Sequence, residues 1–238
     1  MKLLNKFYLF IVEGRTDERS LALTLSRVLR VNFYIVRADI TSDEESTVDN
    51  IEEILSEHIG YFLAEKPYFS LEDISCIIQI TDTDGAFVKS NVILEDPNCE
   101  FNEYYDDKII TKKATNIIER NERKSKILNY LCKKKKIKCS INEQSKDLNY
   151  RIYYMSCNLE HVLHNKRNLN SEEKEQFASE FRKKTNENKN YLREIISSPS
   201  IYNSTSYEES WEYIAKKNNS LLRKCNFEYF FEEFVDKD

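Results

Sequence analysis

Two acids at alternate positions, Asp82 and Asp84, close the apolar run Ile77–Gly85, where IIQI passes through Thr81 into DTDG. In an extended chain, residues i and i+2 point to the same side, so both carboxylates can face one divalent cation. Gly85 then lets the backbone turn away without steric penalty. A second apolar run, Phe7–Asp17 (FYLFIVEGRTD), reaches Glu13, with Gly14 next and Asp17 four residues past Glu13. The chain has 3 glycines in 238 residues, and two of them, Gly14 and Gly85, directly follow these acidic strand ends.

Three carboxylates gathered at one sheet edge cannot all stay ionised cheaply unless a cation sits among them. An all-oxygen, partly hydrated site suits Mg²⁺ or Mn²⁺, and such an ion polarises a phosphodiester and activates water. Glu13, Asp82 and Asp84 are therefore the candidate catalytic and metal-ligating residues. The plainer reading makes Asp82 and Asp84 turn caps and Glu13 a carboxylate favoured at a helix N-terminus, but it leaves the pair of acid–glycine strand ends unexplained. Asp17 fits either a metal carboxylate or a favourable first-turn residue.

The elements that must position these acids follow from periodicity. Lys6–Val12 reads as a strand, and Asp17–Arg30 as a helix with Leu21, Leu25, Val28 and Leu29 on one face. Asn32–Arg37 reads as a second strand. Ala38–Glu65 holds nine acids and no Lys or Arg, yet Val48, Ile51, Leu55, Ile59 and Phe62 keep helical spacing, which predicts a helix with an acidic solvated face. Ile74–Thr81 is the third strand. Alternation of strand and helix with short connections predicts an α/β fold with a parallel sheet, in which ligands sit at the carboxyl ends of strands. Residues 86–111 interrupt the alternation and read as an extended insertion or hairpin. Thr115–Lys136 reads as a helix and Tyr150–Met155 as a fourth strand. Helices are expected over Glu172–Phe181, Tyr191–Ile196 and Tyr207–Phe234. The predicted organisation is a catalytic domain over 1–168, of about four parallel strands flanked by helices, and a helical C-terminal extension over 169–238 packed on it.

No apolar run approaches the ~18 residues of a membrane span, and Met1–Val12 lacks a signal-peptide cleavage pattern, so a cytoplasmic protein without membrane contact is expected. Six cysteines without CxxC pairs argue for reduced thiols. Cys157, His161 and His164 have zinc-compatible spacing but no evident fourth ligand, and core packing is the plainer reading. Trp211 and the aromatic tail suit core packing or contact with a second copy of the chain better than base stacking. The formal charge is −5, but Lys112–Lys138 carries eleven Lys and Arg against two Glu. An acid-lined site needs a local basic surface to hold a polyanion. Arg120, Arg123, Lys124 and the run Lys133, Lys134, Lys135 and Lys136 are thus the candidate nucleic-acid contacts, against the plainer reading of a solvated helix end.

IVEGRTDERSL resembles the first motif of the Toprim superfamily, a strand ending in Glu-Gly with an acid shortly after, and ITDTDG resembles its second, a strand ending in Asp-x-Asp. That superfamily includes topoisomerases, bacterial primases and nucleases of phage-defence systems. The resemblance covers roughly Phe7 to Asn165. It implies adjacent motif strands, Mg²⁺ at the acids and phosphodiester chemistry, with Glu13 as the acid–base group and Asp82 and Asp84 as metal ligands. Stand-alone members of defence type also carry an acid soon after a later strand, which maps more loosely to Glu160 as a further metal carboxylate.

The expected function is a metal-dependent nuclease acting on RNA or DNA. One alternative is a Toprim-type regulatory subunit that binds nucleic acid or a separate ATPase. No GxxxxGK[ST] loop is present, so any ATP-driven step needs another chain. Another is a haloacid-dehalogenase-like phosphatase with Asp82 as nucleophile. Its motif should close the first strand of its domain, and here two strand–helix units precede it.

Overall fold

A computed structural model describes residues 6–202 and 204–236. In chain order, β1 (Phe7–Val12), α1 (Arg15–Val28), β2 (Asn32–Arg37), α2 (Ile51–Glu65) and β3 (Ile74–Asp82) form the expected alternation. Three short strands follow, β4 (Ile93–Glu95), β5 (Glu103–Tyr104) and β6 (Ile109–Thr111), then α3 (Ala114–Leu131), β7 (Lys136–Ile141) and β8 (Gln144–Met155). The chain ends in α4 (Leu159–His164), α5 (Ser171–Glu187), α6 (Tyr191–Ile196), α7 (Tyr207–Ile214) and α8 (Glu228–Phe234). The fold is α/β. Its main sheet has the order β2-β1-β3-β8-β7, parallel except for β7, with helices at the C-terminus.

Almost every residue of β1 and β3 is buried, as expected of parallel strands covered on both faces. Alternate side chains divide between the faces. Phe7 packs on Phe62 of α2, whereas Phe10 packs on Phe33 and on Phe230 of α8. One continuous core runs from Phe7 to Phe231, so the C-terminal helices cover the same sheet as α1. The C-terminal segment also pairs with the end of β8: Ser156 N donates to Lys224 O at 2.9 Å and Cys157 N to Ser220 O at 3.1 Å. After β1 the chain leaves for β2 on one side, and it returns as β3 on the other. The topological switch point, where open α/β sheets bind ligands, therefore lies between β1 and β3.

Several sequence-based boundaries are corrected. The helix expected over Ala38–Glu65 begins only at Ile51, and 38–50 is a loop that reaches over the carboxyl ends of the strands. The helix expected to Lys136 stops at Leu131, because β7 pairs antiparallel with a β8 that starts at Gln144 rather than Tyr150. The insertion 86–111 supplies the three-stranded sheet β4-β6-β5, with its own small core of Ile93, Tyr104, Ile109, Ile117, Cys157 and Leu221. The helix expected over Tyr207–Phe234 is broken between Ile214 and Glu228. Among the described residues no helix is long and apolar enough to cross a membrane. All six cysteines are free.

Candidate acidic site at the carboxyl ends of two central strands

The register sets Val12 of β1 opposite Ile80 of β3, so Glu13 emerges beside Thr81 and Asp82. Thr81 Oγ1 and Thr41 Oγ1 both donate to Glu13 Oε1, the latter at 3.1 Å. Beyond Asp82 the chain turns sharply. Asp84 and Gly85 both lie in the left-handed region, at φ 49° and 71°. A Cβ on Gly85 would meet Ile109 Cδ1 at 2.8 Å and Leu221 Cδ2 at 3.0 Å. Gly14 serves differently. It precedes α1 in extended backbone, and its N–H donates to Asp17 Oδ2 at 2.8 Å.

Asp17 takes the first-turn position expected of it, accepting from Gly14 N, and its carboxylate also lies among the acids of the cluster. It is buried, and burial together with the nearby Glu160 raises its pKa to about 6. Glu160, in the first turn of α4, is likewise buried, accepts from Thr16 Oγ1 at 3.3 Å, and pairs with Lys174 of α5 at 3.6 Å. Burial raises Glu13 to about 7 despite the opposing pull of Lys124. Asp82 is pushed well up by burial and by Asp17, Glu13, Asp84 and Glu160 around it. Burial would raise Asp84 too, but Lys124 and Arg120 outweigh it and hold that carboxyl below its usual value.

Lys124 corrects the sequence reading. It is not part of an exposed phosphate-binding face but has no solvent-exposed surface at all, and its Nζ lies between Asp84 Oδ2 and Glu13 Oε1. The buried stripe of α3 runs through Ile117, Asn121, Lys124, Leu128 and Leu131, a 3.6-residue period with two polar members. Both are satisfied. Asn121 Nδ2 donates to Gly85 O at 3.0 Å, and Lys124 Nζ also reaches Ser42 Oγ at 2.9 Å. Arg120 and Arg123 are turned inward as well. Arg120 donates to Asp84 O at 2.8 Å, and Arg123 to Asp43 O at 3.1 Å and Ser42 O at 3.2 Å. These side chains hold the loops of the site.

Lys134 is paired with Glu52 at 2.7 Å and sits over the Tyr130 ring. Lys133 and Lys135 border a cavity that includes Trp211, and Lys136 opens β7 opposite Asn149. Asn149 lies six residues back along β8 from Met155, the partner of Asp82, a separation of roughly 20 Å along the strand. The lysine run is therefore remote from the acids. His161 accepts from Arg167 Nε at 3.0 Å, and His164 packs on Phe177 and Phe181, the plainer reading of that pair.

Sequence reasoning missed Thr41, Ser42, Thr81 and Lys174. Thr81 stands inside the motif, and Thr41 and Ser42 follow a strand end, positions where polar residues merit notice; nothing local marks Lys174.

No described residue donates a hydrogen bond to the Asp82 carboxylate, and desolvation, with the charge of Asp17, Glu13, Asp84 and Glu160 added, pushes it well up. Five carboxylates (Glu13, Asp17, Asp82, Asp84 and Glu160) face three cations, Lys124, Arg120 and Lys174. The excess of negative charge lies on the Asp82, Asp17 and Glu160 side, and an all-oxygen set of this kind fits Mg²⁺ or Mn²⁺. As the described side chains stand, no three acids, histidines or cysteines close on a single point. No protein-family model, curated protein or solved structure matches this chain.

Proposed function

We propose that the chain is a metal-dependent nuclease of Toprim type that hydrolyses phosphodiester bonds in RNA or DNA, in keeping with a phage-defence role. The observation that carries this reading is the position of Asp82. It is a half-buried carboxylate to which no described residue donates a hydrogen bond, at the carboxyl end of a central strand, beside Glu13 across the switch point of the sheet. Asp82, Asp17 and Glu160 would hold Mg²⁺ or Mn²⁺, which when bound polarises a phosphodiester and makes water a better nucleophile. Glu13, raised to about 7, is suited to accept or return a proton near neutral pH. Thr41 and Thr81 fix the orientation of its carboxylate. Lys124, held charged by Asp84 and Glu13, fixes these two carboxylates at the strand ends from inside the protein.

One observation favours a second reading, a regulatory module that binds nucleic acid or a separate ATPase chain. Lys124 already balances Glu13 and Asp84, so two of the five acids are satisfied without an ion. Incubation of the purified protein with tRNA, rRNA, and single- and double-stranded DNA, with and without Mn²⁺, separates the two. Metal-dependent cleavage of any of these supports the nuclease, and binding without turnover supports the module.

A further inference from the structure

Four arginines from three separate elements line one cleft near the acids. Arg15 and Arg19 of α1, Arg37 at the end of β2 and Arg182 of α5 border an open cavity of about 760 Å³, together with Glu18, Ala22 and Leu23. Arg15, Arg19 and Ala22 follow the i, i+4, i+7 spacing of one helical face. Arg15 lies two residues after Glu13, and Arg37 is paired with Val12, the residue before Glu13. The cleft thus begins at the first turn of α1, where Thr16 donates to Glu160 of the acid cluster, and follows α1 away from it.

The charge in this cleft is positive and reachable. Arg15 and Arg37 have side chains 62% and 55% exposed. Arg37 is paired with Glu18 at 3.3 Å, and Arg19 with Glu175. Arg15 reaches Glu175 only at 4.0 Å, and Arg182 is exposed and makes no ion pair with a described residue. Four guanidinium groups against two carboxylates leave positive charge to spare. The arginines of α3 hold loops, Lys124 is buried, and the lysine run lies at the far end of the sheet. Guanidinium forks match phosphate oxygens in pairs, and an acid-lined site needs such a surface next to it.

We propose that this arginine cleft is the track on which the phosphodiester backbone of a nucleic-acid strand lies as it enters the acid site. The proposal rests on the nuclease reading and adds the surface that would hold its substrate.

The test uses the full chain carrying Asp82→Asn, so that no strand is cut, with fluorescently labelled single-stranded RNA, single-stranded DNA and duplex DNA in EDTA across a salt series. Arg15→Gln with Arg182→Gln should weaken binding about tenfold per residue and flatten log K against log salt by roughly one unit for each arginine. Lys133→Gln with Lys135→Gln should change both far less. The tighter-binding oligonucleotide identifies the sugar. If the arginine variant binds with the affinity and slope of its parent, the track is overturned while the nuclease reading stands. If the parent binds none of the three, the nuclease reading falls and the track with it. Both arginines are exposed, and unchanged thermal melting of the variant separates lost binding from lost fold.

Discussion

Lys124 Nζ lies 2.6 Å from Asp84 Oδ2 and 3.4 Å from Glu13 Oε1. An ammonium from α3 thereby ties together the ends of β1 and β3, inside the protein and out of solvent. Burial alone would strip its charge, but the two carboxylates hold it protonated, and it in turn holds Asp84 ionised.

Removal of this cation should be costly. Lys124→Met keeps the length of the side chain but leaves two carboxylates without their partner, a change worth about 3–5 kcal/mol in a buried pair. Millimolar Mn²⁺ should restore part of the loss by supplying a cation. Urea unfolding in EDTA and in Mn²⁺ measures both effects. A loss of under about 1 kcal/mol in EDTA would show that Glu13 and Asp84 do not depend on Lys124.

Asp82→Asn should act in the opposite direction. The substitution is nearly isosteric and takes one negative charge out of a crowded acid cluster, so the metal-free protein should melt at a higher temperature than wild type. Added Mg²⁺ or Mn²⁺ should raise the melting temperature of wild type but not of the variant, because only wild type gains binding free energy on folding. Equal metal-induced shifts would place the ion elsewhere.

The raised carboxyls also set a pH dependence. Glu13 rises from 4.5 to about 7 and Asp17 from 3.8 to about 6, so the folded state binds these protons more tightly than the unfolded chain. Their stabilising contribution is complete below about pH 4. It is lost as pH rises through about 6 for Asp17 and about 7 for Glu13. Melting in EDTA should fall between pH 5 and 8, and Glu13→Gln should flatten the part of that fall near neutrality. A wild-type curve that rises across this interval contradicts the proposed burial.

The β1, α1, β2, α2 and β3 segments were legible because each combines a clear period with a clear stop: apolar runs of strand length that end in acid and glycine, and leucine spacing in α1. The candidate acids were legible for the same reason, since Glu13, Asp82 and Asp84 mark strand ends. Lys124 was not. A lysine on a helical stripe is read as solvated, and only the tertiary position of Asp84 and Glu13 makes its burial favourable. The arginine cleft is illegible in the chain because residues 15, 19, 37 and 182 meet only after folding. The β7–β8 hairpin was hidden by its polar outer face, with alternating lysines that also suit a helix end.

Gly85→Ala tests the turn that aims the two aspartates. The added methyl would meet Ile109 and Leu221 at 2.8 and 3.0 Å, in backbone at φ 71°. A left-handed non-glycine residue costs roughly 1–2 kcal/mol, and overpacking adds about 1–3 kcal/mol. A total of about 2–5 kcal/mol by chemical denaturation is expected; an unchanged midpoint would mean that the turn relaxes freely.

The most direct test of the acidic site as a nuclease centre is the rate of product formation on the best of the RNA and DNA substrates in Mn²⁺, compared between wild type and Asp82→Asn, with the fold of the variant verified by its melting curve. The account predicts cleavage by wild type that EDTA abolishes, and a rate at least ~10²-fold lower in the variant, the scale of a lost acid–base or metal-binding group. Equal rates in the two proteins would contradict it.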